Sequence, residues 1–231
     1  MKIISCPSPN FDERADGQKP SMIIIHYTGT QTAEEARLRF CDGAPSDSIG
    51  RISPHYMIGE HAEIYKFVDE DKRAWHAGRA SWGNCTDINS ASIGIEIWNT
   101  GHEYNFEEFI PAQIDTLIEL IKYIRTRWNI PNKNILGHSD VAPGRKLDPG
   151  EKFPWHKLAE AGIGVMPRNT DSIKLEVSNF FNKLRDYGYT YTDDKHILLS
   201  EFRRHYLPHL LNKNGVTEED IKAIKYLENY R

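Results

Sequence analysis

The sequence predicts an α/β fold: a central mixed β-sheet flanked by helices, followed by a small C-terminal three-helix domain. Three observations predict it. Short β-branched apolar runs, MIIIHY (Met22–Tyr27) and SIGIEIW (92–98), read as strands buried on both faces. A long amphipathic helix lies between the second of these and a further short strand, NILGH (134–138). After about Gly164 strand alternation ceases and only helical periodicity remains.

Taken in order, MIIIHY is the first buried strand, and TAEEARLRF after it suits a short helix with Thr32 as N-cap. PHYMIG and EIYKFV, separated by residues 60–62, predict a hairpin. In PAQIDTLIELIKYIRTRW, Pro111 suits the first helical turn, and Ile114, Leu117, Ile118, Ile121 and Ile124 define one buried stripe. The Gly- and Pro-rich segment GHSDVAPGRKLDPG (137–150) predicts a loop. IGVMPRNT (163–170) reads as a linker, which sets the domains at 1–164 and 165–231. In the second, Val177, Phe180, Phe181 and Leu184 form one apolar stripe. Leu198, Phe202 and Leu210 mark a second helix, interrupted near Pro208. Thr217 and Asp220 form a capping pattern before Ile221, Ile224 and Leu227.

Composition narrows the function classes. A net charge of −4 lacks the basic footprint of a nucleic-acid-binding protein. No apolar run approaches the ~18–20 residues of a membrane span. The start, MKIISCPSPNFDERADG, has too short an apolar run for a secretion signal, which predicts a cytoplasmic protein, or an envelope protein if the chain is a trimmed mature form. Cys6, Cys41 and Cys85 are widely spaced with no C-x-x-C pair, and they predict plain thiols of a reducing compartment. Ten histidines are a mild excess that directs attention to metal or proton chemistry.

Three potential ligands sit at strand ends or in the loop: His26, His138 and Asp148. Two imidazoles and a carboxylate, with a fourth position left for water, make a catalytic zinc set. A histidine after three isoleucines is also a common hydrogen-bonded core residue, and spacing alone leaves both readings open. Glu96 lies among isoleucines, where a carboxylate is costly unless paired, protonated or used. Its phase is opposite to that of Ile93, Ile95 and Ile97, so alternation turns it either to solvent or onto the floor of a cleft. Lys146, two residues before Asp148, is either a solvated lysine or a fixed charge for a developing oxyanion.

Together with their surroundings these residues are distinctive. IIIHYTGT, SPHYMIGEHAEIYKFVDEDKRAWHAG, NSASIGIEI, ILGHSDVAPGRKLDPG and FPWHKL run in order from about residue 20 to 158. In this the chain resembles the zinc-dependent N-acetylmuramoyl-L-alanine amidases of the AmpD and AmiD type, kin to phage T7 lysozyme and the peptidoglycan recognition proteins. The resemblance implies a peptidoglycan-recognition-protein-like fold and a Zn2+ ion on His26, His138 and Asp148. It further implies Glu96 as catalytic acid/base, Lys146 as carbonyl-polarising residue, and His76 in the substrate groove, with Trp75, Arg79 and Asn99 as nearby substrate-binding candidates. Some relatives carry a catalytic tyrosine where this chain has Pro54, which places it on the glutamate branch.

The activity so implied is hydrolysis of the amide between N-acetylmuramic acid, in its 1,6-anhydro form or not, and L-alanine. The partner is then a muropeptide or peptidoglycan, in cell-wall recycling or turnover. Two alternatives stand beside it: a recognition module that binds peptidoglycan without cutting it, and a phage-type lysin. Retention of all three ligands favours the enzyme. The C-terminal helices resemble, in position and architecture alone, the small peptidoglycan-binding domain of AmiD-type enzymes.

Overall fold

The computed structural model describes residues 1–46, 48–167 and 179–230. Six strands form the main sheet: β1 (Ile3–Ser5), β3 (Met22–Tyr27), β4 (Tyr56–Ile58), β5 (Ile64–Lys66), β7 (Ser92–Ile97) and β8 (Ile135–Gly137). Their order across the sheet is β1-β5-β4-β7-β3-β8. Every pairing is parallel except the β4–β5 hairpin, so the sheet is mixed, as the sequence predicts. β2 (Phe11–Glu13) and β6 (Lys72–Ala74) form a separate antiparallel pair.

Alternation along β3 and β7 gives the sheet two distinct faces. Ile23, Ile25, Ile93, Ile95 and Ile97 point to one, where α3 (Pro111–Arg125) and α5 (Trp155–Glu160) cover them. In α3 the side chains of Ile114, Leu117, Leu120, Ile121 and Ile124 are buried, and each such residue contributes about 1.5–3 kcal/mol relative to exposure. Gln113 fixes the start of this helix to the strand ends, donating to the carbonyls of Gly59 at 3.1 Å and Trp98 at 2.9 Å. Thr32 caps α1 (Ala33–Cys41) by accepting the Glu35 N–H at 3.1 Å. α2 (Ile88–Ala91) is a single turn capped by Asp87.

The second face carries Met22, Ile24 and Leu136, and here the C-terminal helices matter. These are α6 (Phe180–Tyr187), α7 (Lys195–Tyr206) and α8 (Glu218–Leu227). The sequence reads as a separate unit; in the structure Phe180, Leu184, Phe202 and Ile224 join Met22, Ile24 and Leu136 in one hydrophobic cluster. α7 begins at Asp194, which accepts the N–H groups of His196 and Ile197, and it ends before Pro208. Thr217 and Asp220 cap α8 reciprocally. Val177 and the end of the expected linker, residues 168–170, lie outside the described residues. Cys6, Cys41 and Cys85 are free, with the Sγ atoms of Cys6 and Cys41 3.2 Å apart. Among the described residues no helix is long and apolar enough to cross a membrane.

Candidate active site and metal centre

The site stands at the carboxyl ends of three neighbouring parallel strands, β7, β3 and the edge strand β8, where ligands gather in parallel α/β sheets. β3 and β7 pair so that His26 lies level with Glu96, and both side chains leave the face opposite Ile25 and Ile95. β8 borders β3 on the other side and delivers His138 directly after its last residue. The segment that follows is not all loop. His138–Val141 form one helical turn, α4, because the Asp140 carboxylate accepts the Gly137 N–H at 2.7 Å. The chain then returns, and the Ser139 N–H donates to the Asp148 carbonyl at 2.9 Å. Gly137 makes this return possible: a Cβ there would stand 2.7 Å from Cδ of Pro149.

His26, His138 and Asp148 thus converge. His26 Nδ1 is 3.0 Å from His138 Nδ1 and 2.8 Å from Asp148 Oδ2, and His138 Nδ1 is 3.0 Å from Asp148 Oδ2. All three residues are buried. A tetrahedral zinc with bonds of about 2.0–2.2 Å needs donors roughly 3.3–3.6 Å apart, so this contracted triangle of two nitrogens and one oxygen fits such an ion.

The outward nitrogens set the tautomers. His138 Nε2–H donates to the Ala77 carbonyl at 2.9 Å, which leaves the Nδ1 lone pair facing inward. His26 Nε2–H donates to His76 Nδ1 at 3.0 Å, and His76 Nε2–H donates to the Ser92 hydroxyl at 3.2 Å. That hydroxyl donates in turn to the Ile88 carbonyl at 2.5 Å. Gly94 provides the room, since a Cβ there would lie 2.4 Å from Cγ of His76.

The charge states suit cation binding. Burial, reinforced by neighbouring His138, lowers the His26 pKa to about 4, so the ring is neutral at pH 7. Burial pushes the Asp148 carboxyl upward, but the two histidines more than reverse this and hold it below the ordinary carboxylate range. Glu96 behaves oppositely. Burial raises its pKa well above the usual value, nearby Asp148 raises it further, and Lys146 only partly offsets them. Its Oε2 is buried without a hydrogen-bond partner. Alternation therefore identifies the face correctly, but that face is a cavity wall and not open solvent.

A cavity of 390 Å³ opens over these groups, large enough for a small-molecule ligand. Its lining includes His26, Glu96, His138, Asp148 and, among the other expected residues, Lys146, Trp75 and His76. Trp75 forms part of one wall, with Arg51 over its ring at 4.8 Å and its indole N–H on Asp12 at 3.1 Å. Arg79 and Asn99 are not in the lining. The Arg79 Nε–H donates to the Tyr191 hydroxyl at 3.1 Å, and Asn99 clamps its own loop through the Glu107 carbonyl and the Gly101 N–H, each at 3.0 Å. Tyr27 and His102, absent from the sequence expectations, also line the cavity and bond to each other at 2.9 Å. The alternation of MIIIHY places Tyr27 on the α3 side, and only the fold brings His102 to it.

Comparison with known proteins agrees with this fold. The model of the N-acetylmuramoyl-L-alanine amidase family matches residues 16–151. N-acetylmuramoyl-L-alanine amidase AmiD of Escherichia coli is 31% identical over 90% of this chain and 83% of its own length. 1,6-Anhydro-N-acetylmuramyl-L-alanine amidase AmpD of Citrobacter freundii is 32% identical over 66% of this chain and 86% of its own. Among solved structures, AmpDH3 of Pseudomonas aeruginosa in complex with an anhydromuramic pentapeptide superposes with a TM-score of 0.78 at 29% identity, covering 92% of each chain. Escherichia coli AmiD, in complex with anhydro-N-acetylmuramic acid-L-Ala-D-γ-Glu-L-Lys, has the same TM-score at 30% identity, over 94% of this chain and 92% of that one. A family match from residue 16 to 151 spans every strand and ligand that builds the site, and the chain belongs to the N-acetylmuramoyl-L-alanine amidase family.

Proposed function

We propose that the chain hydrolyses the amide between the lactyl carbonyl of N-acetylmuramic acid, its 1,6-anhydro form included, and L-alanine, with zinc held by His26, His138 and Asp148. One observation carries this reading: three buried donor atoms meet within hydrogen-bonding distance, and the unpartnered carboxylate of Glu96 lines the same cavity. Zinc bound there supplies Lewis acidity, polarising the scissile carbonyl and lowering the attacking water's pKa to about 7. Glu96 accepts the proton of that water and hands it to the departing alanine nitrogen. Lys146, half-buried in the cavity wall, meets the negative charge that grows on the carbonyl oxygen. His76 and Ser92 keep the His26 proton on Nε2, away from the donor atom.

The complexes of AmpDH3 and AmiD with anhydromuramyl peptides support this substrate class, as does the aromatic wall at Trp75, a suitable platform for a sugar ring. Residues 1–164 are in this reading the catalytic part and 165–231 the C-terminal unit, whose described helices α6, α7 and α8 pack against it. The test is hydrolysis of anhydromuramyl peptides and of intact peptidoglycan, with and without a chelator. We expect activity that a chelator abolishes and added zinc restores. Hydrolysis that survives complete zinc removal refutes the metal assignment, and binding of either substrate without cleavage returns the chain to the recognition modules.

A further inference from the structure

The segment that presents His138, Lys146 and Asp148 is held at both ends by neighbouring residues of one C-terminal helix. At its start Asp140 is 1% exposed, yet its carboxylate has three donors. They are the Gly137 N–H at 2.7 Å, the Tyr189 hydroxyl at 2.5 Å and His205 Nδ1–H at 2.7 Å. At its far end Glu151 pairs with Arg204, which Glu201 also grips at 2.7 Å. Between these points Gly144 lies against Ile197, so close that a Cβ would stand 2.9 Å from its methyl carbon. Ile197, Arg204 and His205 all belong to α7. The His205 ring is itself fixed, stacked between Trp155 at 3.8 Å and Tyr206 at 3.9 Å.

These bonds meet the ligands through the backbone. The Gly137 N–H that Asp140 holds immediately precedes His138, and Ser139, next to Asp140, holds the Asp148 carbonyl. A displacement of Asp140 therefore moves two of the three donors. Buried polar contacts around metal ligands set donor orientation and so affinity. The geometry points to α7 as a brace for the metal centre: His205 and Tyr189, acting through Asp140, and Arg204, acting through Glu151, hold His138 and Asp148 at the separation zinc requires. The C-terminal unit is then a positioning element of catalysis, whatever glycan it also meets. This inference rests on the zinc reading above.

The test uses full-length, metal-free protein and follows zinc uptake against a chromogenic chelator. Tyr189→Phe and His205→Leu each weaken zinc binding by about 10–100-fold, and in zinc-saturated enzyme kcat falls while KM is unchanged. His205→Asn, whose amide nitrogen reaches the same carboxylate oxygen, retains most of the affinity. Ile224→Val, which trims a methyl from the same helical unit without touching Asp140 or Glu151, binds zinc as the wild type does. Wild-type affinity in both Tyr189→Phe and His205→Leu overturns the brace, as does an equal loss in Ile224→Val. A wild-type protein that takes up no zinc sinks the metal reading instead, so the two failures are distinguishable.

Discussion

Replacing Glu96 by glutamine preserves the side chain's shape and removes its capacity to take a proton. Glu96 Oε2 has no hydrogen-bond partner, and the carboxylate makes no ion pair among the described residues. Little else in the cavity wall therefore depends on its charge. Zinc content, measured by metal analysis, should stay at the wild-type level in Glu96→Gln. Losing a positioned general base costs about 10²–10⁴-fold in rate, equivalent to ~2.7–5.4 kcal/mol of barrier at 1.36 kcal/mol per tenfold. The base form of Glu96 accumulates as pH rises, and in the metal-free protein burial moves that rise above the ordinary carboxylate range. Wild-type kcat/KM should show an acid limb that the variant lacks. Metal-free protein gives a second readout. A buried acid with a raised pKa binds more protons folded than unfolded, so it lowers stability as pH climbs from about 4.3, the unfolded value, through the folded one. Metal-free Glu96→Gln, relieved of this, should gain in melting temperature over the wild type across that interval. Turnover at the wild-type rate, or a melting difference that does not grow with pH, refutes the assignment of Glu96 as a buried, unpaired base.

Asp148→Ala removes one of the three converging donors, and metal analysis should find zinc largely lost; full occupancy would discard the ligand set. Gly94→Ala places a methyl 2.4 Å from Cγ of His76 and should cost about 1–3 kcal/mol while weakening zinc uptake. A variant matching the wild type in urea unfolding and metal affinity would show that His76 does not need that space. Arg203→Ala leaves the buried Asp220 carboxylate, now 2.6 Å from the guanidinium, without its counter-charge, and takes a donor from the carbonyls of Leu210 and Gly215. The loss should be about 3–5 kcal/mol, or roughly 6–20 °C in Tm for a chain of this size, and an unchanged calorimetric transition would contradict it.

The sequence was most informative where one periodicity runs long. Continuous β-branched residues mark β3 and β7, and the stripe from Ile114 to Ile124 marks α3, because burial there repeats with the period of the backbone. β1, β2 and β6 are three-residue strands, none of them buried throughout, so no buried apolar run marks them as it marks β4 and β8 of the same length. The helical turn at His138 hides in a Gly- and Pro-rich segment because a side chain, Asp140, closes it. His26, His138 and Asp148 are recognisable as ligand types, but their convergence is a property of the parallel pairing of β3 with β8 and of the chain's return from Asp148 to Ser139. Least legible were partnerships across long separations. Tyr191 takes the Arg79 side chain outside the cavity, and His205 reaches Asp140 from 65 positions away. No local pattern encodes either.

The level pairing of His26 with Glu96 has a consequence for how activity emerges during folding. A slip of one place between β3 and β7 would throw the imidazole to the isoleucine side while the carboxylate stayed behind. A slip of two would keep them on one side but part them by about 7 Å. Misaligned chains can hold a nearly full complement of sheet and still be silent as hydrolases. Regain of turnover after refolding thus counts correctly aligned molecules more strictly than any spectroscopic measure of strand content.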